Sequence, residues 1–229
     1  MPRAALPPFL VLLLALSAHA VRAEDANLTT NATGAAGSAT RLVVAQKAYE
    51  LALESGDTIL LLAAIRLARG VSVRAPTAWE RTAPGEVPAD EPKGRTAAPD
   101  PASDNAIQIV QGLAGEDPDL QDLVYDLDAQ LPQGDVETAV VALSDLGGGQ
   151  VDSWRMALSG SVLTEIGLIG DGDSPLALSV TDESGNPVCT MPLGMVPALC
   201  RFTPARNGFF TVTVQNAGTV KNSYRLIGN

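Results

Sequence analysis

The sequence predicts an α+β protein, with N-terminal helical hairpins followed by a small antiparallel β-sandwich or jelly roll. Three observations carry this prediction. Apolar residues recur at spacings near three and four between Ser38 and Arg69, and again between Asp104 and Leu131, the period of a helix with one buried face. From about Val140 the period falls toward two, as in half-buried strands. Turns rich in Gly, Asn and Asp punctuate that second stretch at short intervals, as strands joined in antiparallel fashion require.

Residues 1–23 read as a secretory signal peptide. Arg3 supplies the positive region, Phe9 to Leu16 an unbroken apolar run of eight residues, and Ala18-His19-Ala20 or Val21-Arg22-Ala23 the small residues before cleavage. That run is too short to span a bilayer, and no later stretch is long and apolar enough. The expected product is a soluble protein of the periplasm or one that is secreted. Residues 24–37 lack apolar periodicity and predict a flexible leader. They contain two Asn-x-Thr triplets, at Asn27 and Asn31, which are acceptors only in a eukaryotic secretory pathway.

Residues 38–70 predict a helical hairpin. Leu42, Val43, Ala45, Tyr49, Ala52 and Leu53 form one apolar face, Ser38 can cap its start and Gly56 ends it. Asp57 caps a second helix whose run Ile59 to Ile65 is apolar on nearly every side, and Gly70 stops it. Such a helix needs further cover, so Ile59, Leu61, Leu62 and Ile65 are candidate protein-contact residues.

Residues 71–103 are rich in proline and charge and predict a disordered or extended linker, with Trp79 as a conceivable tether. A second helical pair is expected over 104–146. Ser103 or Asp104 caps a short helix ended by Gly115, and Asp117-Pro118 opens one carrying Leu120, Leu123, Val124, Leu127 and Leu131. The two pairs open their second helices sixty residues apart with similar capping chemistry. Stacking one pair on the other would bury the run at Ile59.

Residues 150–229 predict the sandwich. Leu176, Leu178 and Val180 alternate with Ala177, Ser179 and Thr181; Phe210, Val212 and Val214 alternate with Thr211, Thr213 and Gln215. Each strand should turn its apolar stripe into the core. Further strands are expected at Ser153 to Leu158, Leu163 to Ile169 and Ser223 to Ile227.

Composition excludes several functions. The formal net charge is −11, and loss of Arg3 and Arg22 with the signal peptide makes it more negative, which argues against nucleic acid or an anionic membrane as partner. The single histidine, His19, lies in the signal peptide. Histidine-based hydrolysis, histidine-ligated zinc and histidine acid–base catalysis therefore drop out of the mature chain together. Cys189 and Cys200 are eleven residues apart in an exported chain, which predicts a structural disulfide. No cofactor is expected. Asp171 and Asp173 are weak calcium candidates, lacking the further oxygen ligands of a calcium loop, and solvated turn carboxylates are the expected alternative. Ser159-Gly160-Ser161 lacks a nucleophile elbow.

With Val151 to Met156 as its first strand, then Gly170-Asp171-Gly172-Asp173 leading into Leu176 to Val180, Asp182 to Asn186, Phe202-Thr203-Pro204, Gly208 to Val212 and Tyr224 to Ile227, the second half resembles the bacterial pre-peptidase C-terminal (PPC) domain. The resemblance implies a β-sandwich that accompanies secreted peptidases and serves binding, secretion or folding. It implies no catalytic residues. The family places polar or acidic residues where this chain has Ala177 and Ser179, a departure that weakens the case for a ligand-binding face there.

The functional expectation is an exported non-catalytic protein. Its sandwich would act as a binding or assembly module, and its helical region would contact an envelope protein partner. The alternative is a carboxylate-dependent hydrolase or carbohydrate-active enzyme of the cell envelope.

Overall fold

A computed structural model describes residues 25–29, 34–82, 94–95, 97–129, 137–195 and 197–229. The expected signal peptide, Asn31, Leu131 and the centre of the expected linker lie outside the described residues. Four helices are present among them: α1 (Ser38–Ser55), α2 (Thr58–Arg69), α3 (Asp104–Ala114) and α4 (Pro118–Ala129). The strands are β1 (Val71–Arg74), β2 (Glu80–Thr82), β3 (Glu137–Leu146), β4 (Val151–Leu158), β5 (Thr164–Gly170), β6 (Leu176–Thr181), β7 (Pro187–Gly194), β8 (Ala198–Phe202), β9 (Gly208–Asn216) and β10 (Asn222–Gly228).

Local chemistry explains most helix ends. The Asp57 carboxylate accepts from the Leu60 N–H at 2.9 Å, Ser103 Oγ from the Ala106 N–H at 3.3 Å, and Asp117 from the N–H groups of Asp119 and Leu120. Gly56 closes α1 in the left-handed region at φ 66°, where a side chain would be strained. The start of α1 departs from expectation. Its N-cap is Gly37, with no side-chain cap of its own, and Ser38 instead donates to the Thr138 carbonyl. The missing cap comes from β5: the buried Glu165 carboxylate accepts from the N–H groups of Gly37 at 3.0 Å and Thr40 at 2.9 Å. Arg201 of β8 pairs with the same carboxylate at 3.1 Å.

Two five-stranded sheets face each other. Sheet A runs β1-β3-β10-β5-β8 and sheet B runs β2-β4-β9-β6-β7. Strands β3 to β10 follow the double Greek-key order of a jelly roll. All pairings are antiparallel except β1 with β3, which is parallel. The expected core stripes Leu176-Leu178-Val180 and Phe210-Val212-Val214 lie between the sheets with Trp154, Met156, Leu168, Tyr224 and Leu226.

Three boundaries differ from the sequence reading. The linker expected over 71–103 supplies β1 and β2, one outer strand for each sheet. The second helical pair expected over 104–146 ends within the described residues at Ala129, and Glu137–Leu146 is a strand of sheet A. The leader expected to be flexible over 24–37 is pinned at Asn27. Its side chain is fully buried, donates to the Arg206 carbonyl at 3.1 Å and to Glu183, and accepts from the Arg206 N–H. At the linker and the leader, long-range contacts override a locally polar or proline-rich sequence, whereas Glu137–Leu146 is itself rich in the apolar residues of a strand.

The helices form a second core. Tyr49, Leu61, Ile65, Ile107, Val110 and Val124 pack together, so α3 and α4 do cover α2. A third cluster joins the two halves. Ala39 and Val43 of α1 lie on the outer face of sheet A against Ala139, Ile169 and Ile227. Helix α1 is therefore a wall of both cores.

Candidate functional site

The first surface lies on the helical half. Ile59, Leu62 and Ala63 of α2 and Leu123 and Leu127 of α4 line a groove of about 260 Å³, with Arg66 and Asp126 beside them. Ile59 is 58% exposed and Leu123 49%. Of the contact residues expected on α2, Leu61 and Ile65 are completely buried and Leu62 nearly so. Those three belong to the helical core, because α3 and α4 pack on them; the open apolar surface is Ile59 together with Leu123 of α4. The α2 pattern made this run visible in sequence. Its pairing with Leu123 depends on the tertiary packing of α4.

The second surface is a cleft of about 330 Å³ between the helical half and the outer face of sheet A. Helix α1 covers that face from Ala39 to Val43, and the cleft opens where its cover ends, beside Leu42 and Gln46. Val141 and Leu143 of β3, Val73 of β1 and Ile169 of β5 give it an apolar wall. Arg225 of β10 lies among them. Its Nη2 donates to Gln46 Oε1 at 2.6 Å, and its Nη1 stands 3.5 Å from Asp100. Its Nε is buried without a hydrogen-bond partner. Burial lowers the Arg225 pKa from the ordinary arginine value, while Asp100 and Glu50 oppose that shift. Nothing local in the sequence marks Gln46 or Arg225. A strand residue flanked by Tyr224 and Leu226 reads as solvent-facing until α1 is known to lie over the sheet.

Asp171, Asp173 and Asp182 of the Gly170 to Asn186 stretch are held by protein donors, while Glu183 is exposed and paired with Arg206. Asp171 is buried and accepts from the N–H groups of Asp173 at 3.0 Å and Ser223 at 2.6 Å, which ties the turn before β6 to the start of β10. Asp173 accepts from the Arg95 N–H. The weak calcium candidates thus have their oxygens on protein donors. Asp182 accepts from the N–H groups of Asn27, Ser184 and Asn186. Burial alone would raise its pKa, but those donors hold it below the usual aspartate value.

A further polar network lies within the sandwich. The buried Asp152 of β4 pairs with Arg81 of β2 at 2.6 Å and accepts from the Tyr224 hydroxyl at 2.5 Å. The Trp154 indole donates to that same hydroxyl at 2.9 Å. Burial, then the bond to Asp152, pushes the Tyr224 phenol well above its ordinary value. Arg81 also lies 5.5 Å over the Trp154 ring, and Trp79 meets that ring edge-on. This network bolts the short β2 onto sheet B.

Cys189 and Cys200 are joined, with their Cα atoms 6.0 Å apart. Cys189 is on β7, the edge of sheet B, and Cys200 is on β8, the edge of sheet A. The expected loop staple is an inter-sheet bolt. No helix among the described residues is long and apolar enough to cross a membrane.

No family profile matches the chain, and no curated protein matches it in sequence. Solved structures match its sandwich in part. The pre-peptidase C-terminal domain of a Bacillus anthracis collagenase is 16% identical, with a TM-score of 0.34, over 39% of this chain and 88% of that one. A Yersinia pseudotuberculosis-derived mitogen and an Aeromonas hydrophila periplasmic inhibitor of g-type lysozyme are each 9% identical, with a TM-score of 0.31, over 40% of this chain and 84% of theirs. The sandwich thus bears a weak, partial structural likeness to the pre-peptidase C-terminal fold.

Proposed function

We propose that the chain is an exported, non-catalytic protein of the cell envelope, periplasmic or secreted, that binds a partner protein through its helical half while the sandwich serves as a rigid base. The observation carrying this reading is the groove between α2 and α4, where Ile59 and Leu123 leave apolar surface in water beside Arg66 and Asp126. A trough of this kind suits an amphipathic helix, whose apolar face would fill it while its flanks meet the two charges. The state of the buried carboxylates supports a non-catalytic role. Asp152, Glu165, Asp171 and Asp182 each direct their oxygens to arginine, hydroxyl or backbone donors that hold the fold together.

The test is capture from envelope extracts by the mature protein, with Ile59→Asp/Leu123→Asp as the matched control. Both positions are exposed, so the variant should melt like the parent. The expected result is a partner retained by the parent and lost by the variant. Identical captures from both would overturn the reading.

A further inference from the structure

We propose that the cleft between α1 and the outer face of sheet A is a binding site for a small amphipathic anion, an aliphatic chain ending in a carboxylate. The site is independent of the groove between α2 and α4, and three observations carry it.

The first is shape and chemistry. The cleft has a volume of about 330 Å³, within the range of small-molecule sites, which runs from roughly 300 to 1,000 Å³. Its sheet wall is aliphatic, formed by Val73, Val141, Leu143 and Ile169, with Leu42 of α1 beside it. Val73 on the outer strand β1 is 62% exposed, and Leu143 on its inner neighbour β3 is 75% exposed. A hydrocarbon chain laid along them would remove that surface from water.

The second is the state of Arg225. Guanidinium groups this deeply placed normally spend their donors on close, charge-assisted partners at about 2.7–2.9 Å. Here the one short bond goes to a neutral amide, Gln46 Oε1. The nearest carboxylate, Asp100, stands off at 3.5 Å with its side chain 53% exposed, and Nε has no partner. An incoming carboxylate can engage the guanidinium while Asp100, already half in solvent, turns outward.

The third is Arg74, which also lines the cleft. It is exposed and makes no ion pair among the described residues. On a chain with a net charge of −11, two arginines beside an apolar wall form a local attraction for an anionic head group. Gln46 stays in place as the arginine's support. Its own amide is anchored on Glu50 and the Pro99 carbonyl.

The experiment is calorimetric titration of the mature chain with sodium decanoate, compared with decanol and decyltrimethylammonium, which keep the tail and change the head. Saturable one-to-one binding of decanoate is expected, with decanol weaker and the cation without a measurable signal. Arg225→Met should weaken decanoate by about tenfold or more, as loss of a charge-assisted bond predicts. Because Arg225 is largely buried, two exposed substitutions keep the test independent of folding. Arg74→Gln should weaken binding several-fold, and Leu143→Asp should abolish it, both with unchanged melting curves. Equal binding of decanoate and the cation, or decanoate binding untouched by Arg74→Gln and Leu143→Asp, would overturn the proposal.

Discussion

Val43 of α1 lies over Gly167 of β5 so closely that a methyl group on Gly167 would come within 2.7 Å of Val43 Cγ2. The helix therefore reaches the sheet through the absence of a side chain. Gly167→Ala should destabilise the protein by roughly 1–3 kcal/mol, the usual cost of overpacking a filled contact. Urea unfolding measures this. An unchanged midpoint would mean that α1 does not dock on β5 as described.

Glu165 predicts a pH dependence. Burial favours its neutral form, but the N–H groups of Gly37 and Thr40, with Arg201 beyond them, hold its pKa below the usual glutamate value. Asp182 is held below its own usual value in the same way. A carboxyl depressed in the folded state stabilises fully above its unfolded pKa, near 4, and that contribution disappears as pH falls through the lower folded value. Stability should therefore fall steeply with pH below about 4. Glu165→Gln should lose roughly 1.5–3 kcal/mol at neutral pH and show a shallower acid limb in pH-dependent melts.

Reduction of the Cys189–Cys200 bridge removes a constraint on the unfolded chain worth about 3 kcal/mol for a loop of this length. Denaturation with and without reductant should differ by about that amount. Intact mass should rise by about two daltons on reduction, two hydrogens being added to one bridge.

The Arg81–Asp152 pair should be the most sensitive polar contact. Arg81→Ala leaves a buried carboxylate without its cation and should cost about 3–5 kcal/mol. Tyr224→Phe removes the hydroxyl shared by Trp154 and Asp152 and should cost about 1–3 kcal/mol. The double variant should fall short of the sum, because both changes act on one carboxylate. Chemical denaturation of the three variants is the check.

The features legible in sequence are those whose physics is local. Asp57, Ser103 and Asp117 announce helix starts because a cap acts within three residues. Leu176, Leu178 and Val180 announce a buried stripe because a strand alternates. The cysteine pair was legible as a bond. That it joins two sheets was not, since only topology places β7 and β8 on opposite sheets. Strands β1 and β2 are four and three residues long and mostly exposed, so their pairing comes from partners far along the chain. Glu165 and Arg225 carry no local signal for the same reason. Each is a charged residue in a strand whose outer face the period assigns to water, and each acquires its role when α1 arrives. The apolar run marks Ile59, Leu61, Leu62 and Ile65 alike, and only the packing of α3 and α4 separates the exposed Ile59 from the three that are buried.

The shared wall formed by α1 has a consequence for the modularity of this chain. A fragment begun near Gly149 would keep the residues that resemble a free-standing sandwich. It would lose β3 beside β10 and β2 beside β4, and it would bare the apolar patch around Ile169 and Ile227. A fragment ended at Ala129 would lose the sheet on which Ala39 and Val43 rest. Recombination or proteolysis at the join would therefore yield two sticky halves rather than two domains, and the two parts have to be inherited, folded and turned over together.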